Sequence, residues 1–426
     1  MSQTAQSATT LTPEKLKKQE TPDLRPFKYR VPRLDEQVVE FPDAEPDISR
    51  MPITHLDLDT TEKCNLRCSY CFKGELSNKS LTLDTAKQAI RFLVKYSDRA
   101  REIGIGLLGG EPLLAFPLLK EWIPWTRRYC EQRDKKLKIC VTTNGTVFGQ
   151  THREFFRAWK VGLHLSIDGV PEVQNLERKF ANGKGSSDIV EKNLPNIFRA
   201  WRTVYARSTV VPETVHKLLE SYKYLCDKGF YKVVFCFAYS KNWDDPNILR
   251  TVEQQFRKVL EYHWEYMKQQ NRYFVFSLLD RYVEGLTNPQ KIETICGAGR
   301  ANLGVDIDGL LWPCHRFGSS LLPHKNLILG SVWGGFNNTL RDCFLKMNPC
   351  EHFRQPCKTC EDQIMCLSGC VAANWQDNHD IYDVGPEYCK VMRILHTVCR
   401  EHVEKVKKED PDQWNKYMDW VANYQW

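Results

Sequence analysis

The chain has 426 residues, 42% of them apolar, with 60 Lys and Arg against 53 Asp and Glu for a formal charge of +7. This length allows two or three domains at roughly 100 to 200 residues each, and no window approaches the ~18 uninterrupted apolar residues of a membrane-spanning helix. The polar N-terminus, MSQTAQSATTLTPEKLKKQE, has neither the apolar stretch nor the cleavage site of a secretory signal, so the expected compartment is the cytoplasm. Thiols there stay reduced, and the 17 cysteines must be explained by metal, catalysis or burial before disulfides. The charge is spread over the whole length. Its short basic runs, KLKK and KVKK, read as solvated faces and argue against a nucleic-acid partner.

Residues 1–50 are expected to form an N-terminal tail or arm, disordered over about the first 25 residues, with a short apolar run from Val38 to Phe41. From residue 53 the pattern changes to six β-branched runs alternating with amphipathic helical stretches. The runs are ITHLDLDTT (53–61), IGIGLLGG (103–110), KICVTTNG (138–145), GLHLSIDG (162–169), VYARSTV (204–210) and YKVVFCFAY (231–239). Near-continuous apolar strands joined by helical crossovers predict an α/β fold with a parallel sheet, curled or closed, and functional groups at the strands' C-terminal ends. This core is assigned to residues 51–245. A long polar helix from about 247 to 270 opens a helical linker, 246–295. Residues 296–400 form a cysteine-dense module, and 401–426 a C-terminal helix.

Just after the first run stands Cys64-Asn-Leu-Arg-Cys68-Ser-Tyr-Cys71. Three thiolates spaced in this way can wrap one loop around a four-iron cubane and ligate three irons, leaving the fourth open for a substrate or cofactor. A zinc knuckle would need a fourth Cys or His nearby, and none is present.

The C-x3-C-x2-C motif at the end of the first strand of a six-fold β/α pattern resembles the radical S-adenosylmethionine (SAM) superfamily. That resemblance implies a partial (β/α)6 TIM-type barrel, a [4Fe-4S] cluster on Cys64, Cys68 and Cys71, and SAM chelated to the open iron. Gly109-Gly110-Glu111-Pro112 resembles the family's GGE motif, whose backbone holds the methionine amino group. Asn144, Ser166 and Asp168 stand where ribose or methionine contacts are expected. Arg207 resembles the fifth-strand arginine that pairs with the methionyl carboxylate. Tyr70 and Phe72 flank the last cluster cysteine, beside the expected adenine.

The C-terminal cysteines run Cys296, twelve residues, Gly309, four residues, Cys314, a gap, then Cys357-x2-Cys360-x5-Cys366-x3-Cys370 and finally Cys389. This order resembles the SPASM domain, with all seven cysteines present. The resemblance implies one auxiliary iron-sulfur cluster on Cys357, Cys360, Cys366 and Cys389, and another on Cys296, Cys314 and Cys370. Some family members supply a fourth ligand to the latter about six residues after the first cysteine. Here that position is Asn302, and the nearest cysteines outside the pattern are Cys343 and Cys350. The cluster is thus either open at one iron or closed by another ligand. Cys130, Cys140, Cys226, Cys236 and Cys399 sit in apolar contexts and are expected to be core thiols. Directly after Cys314, sulfatase-maturing relatives carry an aspartate as proton acceptor. Here the residue is His315, which argues against that activity and makes His315 a candidate for the proton role beside its reading as an exposed or cluster-contacting histidine.

SPASM-bearing members mostly modify ribosomally made peptides or proteins, so the resemblance implies a peptide maturase whose partners are a precursor peptide or protein and a flavodoxin- or ferredoxin-type electron donor. The alternative is oxidation or rearrangement of a small molecule such as an amino sugar, which the full seven-cysteine module disfavours. A non-catalytic iron-sulfur carrier is disfavoured by the intact GGEP and C-x3-C-x2-C motifs. The 50 residues before the core are too few and too polar for an N-terminal leader-binding domain.

Overall fold

The six β-branched runs become six parallel strands: β1 (His55–Thr61), β2 (Glu102–Gly109), β3 (Lys136–Thr143), β4 (Val161–Ser166), β5 (Tyr205–Val210) and β6 (Lys232–Phe237). They pair in chain order, β1 with β2 through β5 with β6. The computed structural model describes residues 26–30, 38–201, 203–239, 241–287, 296–318, 325–346, 355–366 and 369–423. Residues 1–25, the part of the tail expected to be disordered, and Cys350 therefore lie outside the described residues. The apolar run at Val38–Pro42 pairs antiparallel with Pro26–Arg30.

Except in β1, which is buried from Leu56 to Thr61, alternate residues of the six strands are buried under the crossover helices. In β3 these are Leu137, Ile139, Val141 and Thr143, while Lys136, Lys138, Cys140 and Thr142 face the concave side and remain more accessible. A period of two is what a pleated strand dictates. The same alternation places Ala206, Ser208 and Val210 of β5, and Val233, Phe235 and Phe237 of β6, on the outer, buried face. Cys130, Cys226 and Cys399 are buried, as expected of core thiols, whereas Cys140 and Cys236 fall on the concave face and are only half-buried.

The helices between strands carry their own start signals. Thr82 caps α1 (Leu83–Tyr96), its hydroxyl accepting from the Thr85 amide at 3.1 Å. Asp245 caps α2 (Pro246–Gln270), the long helix expected from about 247 to 270. Its face of Val252, Phe256, Val259, Leu260, Trp264 and Met267 is buried, and it packs against the helix Pro386–Glu409. The segment 246–295 thus supplies packed core through Thr287, including the short strand β7 (Val275–Phe276) beside β6.

The cysteine-dense region contributes three more strands to the same sheet: β8 (Asn302–Val305), parallel to β1, then β9 (Leu310–Trp312) and β10 (Gly330–Ser331), both antiparallel to their neighbours. The sheet order is β7-β6-β5-β4-β3-β2-β1-β8-β9-β10. Among the described residues it does not close on itself, as a partial barrel requires. Gly304 lets the returning chain lie across β8, because a Cβ there would stand 2.6 Å from the His315 nitrogen. This close approach brings the Cys314–His315 segment onto the barrel.

Candidate active site

The loop bearing Cys64, Cys68 and Cys71 is held by a small sheet of its own. Leu66–Cys68 pairs antiparallel with Arg178–Phe180, Cys68 opposite Arg178. The Ser69 amide donates to the Glu177 carbonyl at 3.1 Å, and the Cys71 amide to the Cys68 carbonyl at 3.1 Å. From the β3 end, Asn144 Nδ2 donates to Asn65 Oδ1 at 2.9 Å and Asn65 Nδ2 to Thr146 Oγ1 at 2.8 Å. Burial pushes the Cys64 thiol up to about 12 and Cys68 to about 11, with further upward pressure from the neighbouring cysteines. Thiols close enough to raise one another in this way would release protons on binding iron.

The expected SAM residues stand at the strand ends around this loop. A Cβ on Gly109 would lie 2.3 Å from the Thr61 carbonyl oxygen, and one on Gly110 would lie 2.2 Å from that of Lys63, so only glycines let the β2 end touch the cluster loop this closely. The Gly110 and Glu111 amides are taken by the Thr61 and Lys63 carbonyls, each at 2.7 Å. A methionine ammonium would accordingly be met by carbonyls, as a donor requires. The Glu111 carboxylate is buried and ties β2 to β3: it accepts from the Leu113 amide at 3.0 Å, Thr143 Oγ1 at 2.7 Å and the Asn144 amide at 2.7 Å. Burial raises its pKa despite those donors.

Asp168 is also fully engaged by protein. Its Oδ2 accepts from Arg178 Nε at 2.9 Å and from the Tyr70 hydroxyl, and its Oδ1 from the Thr209 amide at 2.8 Å. Arg178 lies over the Tyr70 ring, with one terminal nitrogen 4.0 Å from Cys68 Sγ. The Asp168–Arg178 pair is therefore a buried charged brace directly behind Cys68. Ser166 and Arg207 are register partners across β4 and β5, and Arg207 is exposed on the concave face.

His315 lies at the barrel mouth, its ring 5.4 Å from that of Phe72 in an edge-on contact. Its Nδ1 is 2.8 Å from Asp57 Oδ2, the Asp57 Oδ1 is 3.2 Å from His55 Nε2, and Asn302 Nδ2 donates to Asp57 Oδ2 at 3.2 Å. Burial opposes ionisation of Asp57, but the hydrogen bonds and charge of His315 and His55 hold the carboxyl well below its usual range. The IGIG run makes this cluster possible, since a Cβ on Gly104 would stand 2.4 Å from His55 Nδ1 and one on Gly106 would stand 2.5 Å from Asp57 Oδ1. One step higher on β1, Asp59 forms a buried ion pair with Lys73, two residues beyond Cys71.

In the C-terminal module, Cys357, Cys360, Cys366 and Cys389 line a single cavity of about 380 Å³, together with Asp362, Arg393 and His396. Cys296, Cys314 and Cys370 form a second group. Burial raises the thiols of Cys296, to about 11, and Cys314, and each is raised further by Cys370. Among the described residues no three His, Cys, Asp or Glu side chains converge tightly enough for a single metal ion. A roomy four-cysteine cavity suits a larger inorganic unit, and an all-sulfur donor set is that of an iron-sulfur cluster. Asn302 is drawn to Asp57 through its amide nitrogen, and its Oδ1 is buried without a hydrogen-bond partner.

Several residues here were missed from sequence. The alternation His55-Leu-Asp57-Leu-Asp59 carried a usable signal, because three polar groups on one face of an otherwise apolar strand must line an interior. Arg178 had none: LERKF reads as an ordinary exposed helix end.

A sequence model of the radical SAM superfamily matches residues 58–225, from β1 into the helix after β5. An uncharacterised protein of Methanocaldococcus jannaschii is 30% identical over 209 residues, covering 48% of this chain and 70% of that protein. The cysteine-type anaerobic sulfatase-maturating enzyme of Clostridium perfringens strain 13 is 23% identical over 345 residues, 75% of this chain and 89% of the relative. The solved structure of native anSMEcpe with bound AdoMet shares the fold at a TM-score of 0.69 and 17% identity, over 87% of this chain and 100% of that one. Streptococcus suis SuiB bound to precursor peptide SuiA shares it at 0.53 and 16% identity, over 78% and 74%. With the three-cysteine loop braced at the end of β1, the glycine pair at the end of β2 and the matched sequence spanning both, the chain is an enzyme of the radical SAM superfamily.

Proposed function

We propose that this enzyme abstracts a hydrogen atom from a residue of a ribosomally made peptide or protein and installs an oxidative modification or crosslink. The observation that carries the reading is the placement of the cysteine module. Strand β8 joins the barrel sheet directly, so the Cys296, Cys314 and Cys370 group and His315 come to the same barrel mouth as the loop of Cys64, Cys68 and Cys71. Relatives of the same fold have been solved with AdoMet and a peptide, and with a precursor peptide.

A [4Fe-4S] cluster with SAM supplies a carbon radical at the 5' position of SAM's adenosyl group. The chain's own residues do the rest. Cys64, Cys68 and Cys71 hold the cluster, and the backbone at Gly109–Glu111 with Asn144, Ser166 and Arg207 orients SAM. Asp168 acts one layer back by fixing Tyr70 and Arg178. His315 receives the substrate proton, with Asp57, itself held by His55, orienting its ring. The two cysteine groups of the module would hold auxiliary clusters, which would supply a substrate-binding position or a sink for the remaining electron, and a flavodoxin- or ferredoxin-type protein would be the donor. The sulfatase-maturating relatives bring a cysteine-containing peptide into consideration as substrate.

The test is anaerobic reconstitution with iron and sulfide, then dithionite and SAM, with 5'-deoxyadenosine and peptide mass measured together. Candidates are a cysteine-bearing sulfatase peptide and small peptides encoded beside the gene. Deoxyadenosine with a peptide mass change supports the proposal. Deoxyadenosine with turnover of an amino sugar and of no peptide overturns it.

A further inference from the structure

Among the described residues, Lys73 is bound to Asp59 and Arg178 to Asp168, and Arg207 stands where the SAM carboxylate is expected. Arg316 is held differently. Its guanidinium lies between two rings, 5.5 Å from the Phe72 centroid and 5.1 Å from that of Tyr239. Phe72 follows the last cluster cysteine and touches His315, while Tyr239 lies just past the end of β6. Arg316 is half-buried, its Nε is buried without a hydrogen-bond partner, and it makes no ion pair among the described residues.

The rings flank the guanidinium without satisfying its buried Nε. Tyr239 is itself fixed by Tyr388, ring centroids 4.1 Å apart and hydroxyls 3.0 Å apart, so the sandwich is stiff. Asp377 feels the charge of Arg316 but stands beyond ion-pair distance, and its own carboxyl is raised by burial. A planar guanidinium whose Nε is buried with no hydrogen-bond partner among the described residues is matched by a carboxylate, which accepts two parallel hydrogen bonds. A neutral carbonyl would leave its charge uncompensated.

We propose that Arg316 is a substrate anchor, receiving at the barrel mouth a carboxylate of the peptide from an Asp or Glu side chain close to the residue being modified. This rests on the peptide-modifying reading above. Aromatic stacking by Phe72 and Tyr239 preorganises the anchor, so the bound carboxylate meets a donor fork already in place.

The test uses reconstituted enzyme with SAM and two random octapeptide pools, one with amidated and one with free C-termini, with retained peptides sequenced by mass spectrometry. Expected is enrichment of Asp and Glu at one position relative to the best-retained residue in both pools. That enrichment should fall by about tenfold in Arg316→Gln. Iron content and melting temperature of the variant establish that it is folded. Asp377→Asn, which removes the competing negative field, should raise the enrichment, a gain that misfolding cannot produce. Enrichment confined to the free-terminus pool would assign the anchor to a C-terminal carboxylate and overturn the side-chain proposal. Retention of peptides without acidic preference, or a preference unchanged in Arg316→Gln, would overturn the anchor while leaving the peptide reading intact. Retention of no peptide would overturn both.

Discussion

His315 Nδ1 lies 2.8 Å from Asp57 Oδ2, a contact that joins the first strand of the barrel to the residue after a cysteine 258 positions later in the chain. Asp57 also faces His55 and Asn302, so one carboxylate sets the orientation of the ring that reaches the barrel mouth. Replacing it with an amide presents the ring with a donor where an acceptor stood. In Asp57→Asn the ratio of modified peptide to 5'-deoxyadenosine is expected to fall by about 100-fold, the lower end of what a positioned general base contributes. Asp57→Glu should recover part of it, and a ratio equal to wild type would show that His315 needs no such support.

Cys64, Cys68 and Cys71 share one loop, and on the proposed reading each substitution removes a cluster ligand. Cys64→Ala, Cys68→Ala or Cys71→Ala should abolish 5'-deoxyadenosine formation, read by chromatography after dithionite reduction. Normal release from any of the three would remove that residue from the ligand set.

Arg178 braces the cluster loop through Asp168 and lies 4.0 Å from Cys68 Sγ. Arg178→Met keeps the length and strands the Asp168 charge, and breaking a buried pair in this way typically costs about 3–5 kcal/mol. We expect a lower melting temperature and a cluster lost faster to a chelator, followed by absorbance. Adding Asp168→Asn should restore part of the stability, because the stranded charge is then gone.

The four cysteines lining one cavity make a separate forecast. Cys360→Ala or Cys389→Ala should lower bound iron by about four per chain and stop product formation. An unchanged iron count in both would show that this cavity holds no cluster.

Asp280 is buried in the C-terminal helical layer, accepting from the Tyr417 hydroxyl at 2.7 Å, and burial pushes its carboxyl up to about 7 from 3.8. Because the folded value is raised, its contribution is fully present below about pH 4 and is lost as pH rises to about 7, at up to about 1.4 kcal/mol per pH unit. Asp280→Asn cannot ionise. Its melting temperature should change less between pH 5 and pH 8 than that of wild type, with the advantage of the variant appearing at the upper end.

Sequence alone determined the sheet and the cluster loop. Six β-branched runs at crossover spacing became six parallel strands in chain order, because period-two burial and strand-to-strand distance are local properties. The C-x3-C-x2-C spacing likewise confines three thiols to one turn of chain. What only the tertiary structure decided are the contacts between distant segments. Asp168 and Glu111, expected beside SAM, have their carboxylates occupied by protein donors from neighbouring strands. Cys140 and Cys236, expected in the core, stand on the concave face because strand phase, not apolar surroundings, sets which side a residue takes. Asp57 meets His315 only because β8 pairs with β1 and two glycines of β2 leave room for the side chains between them. A local pattern cannot specify such a meeting: it depends on which strand becomes the neighbour, and that is settled by packing across the whole sheet.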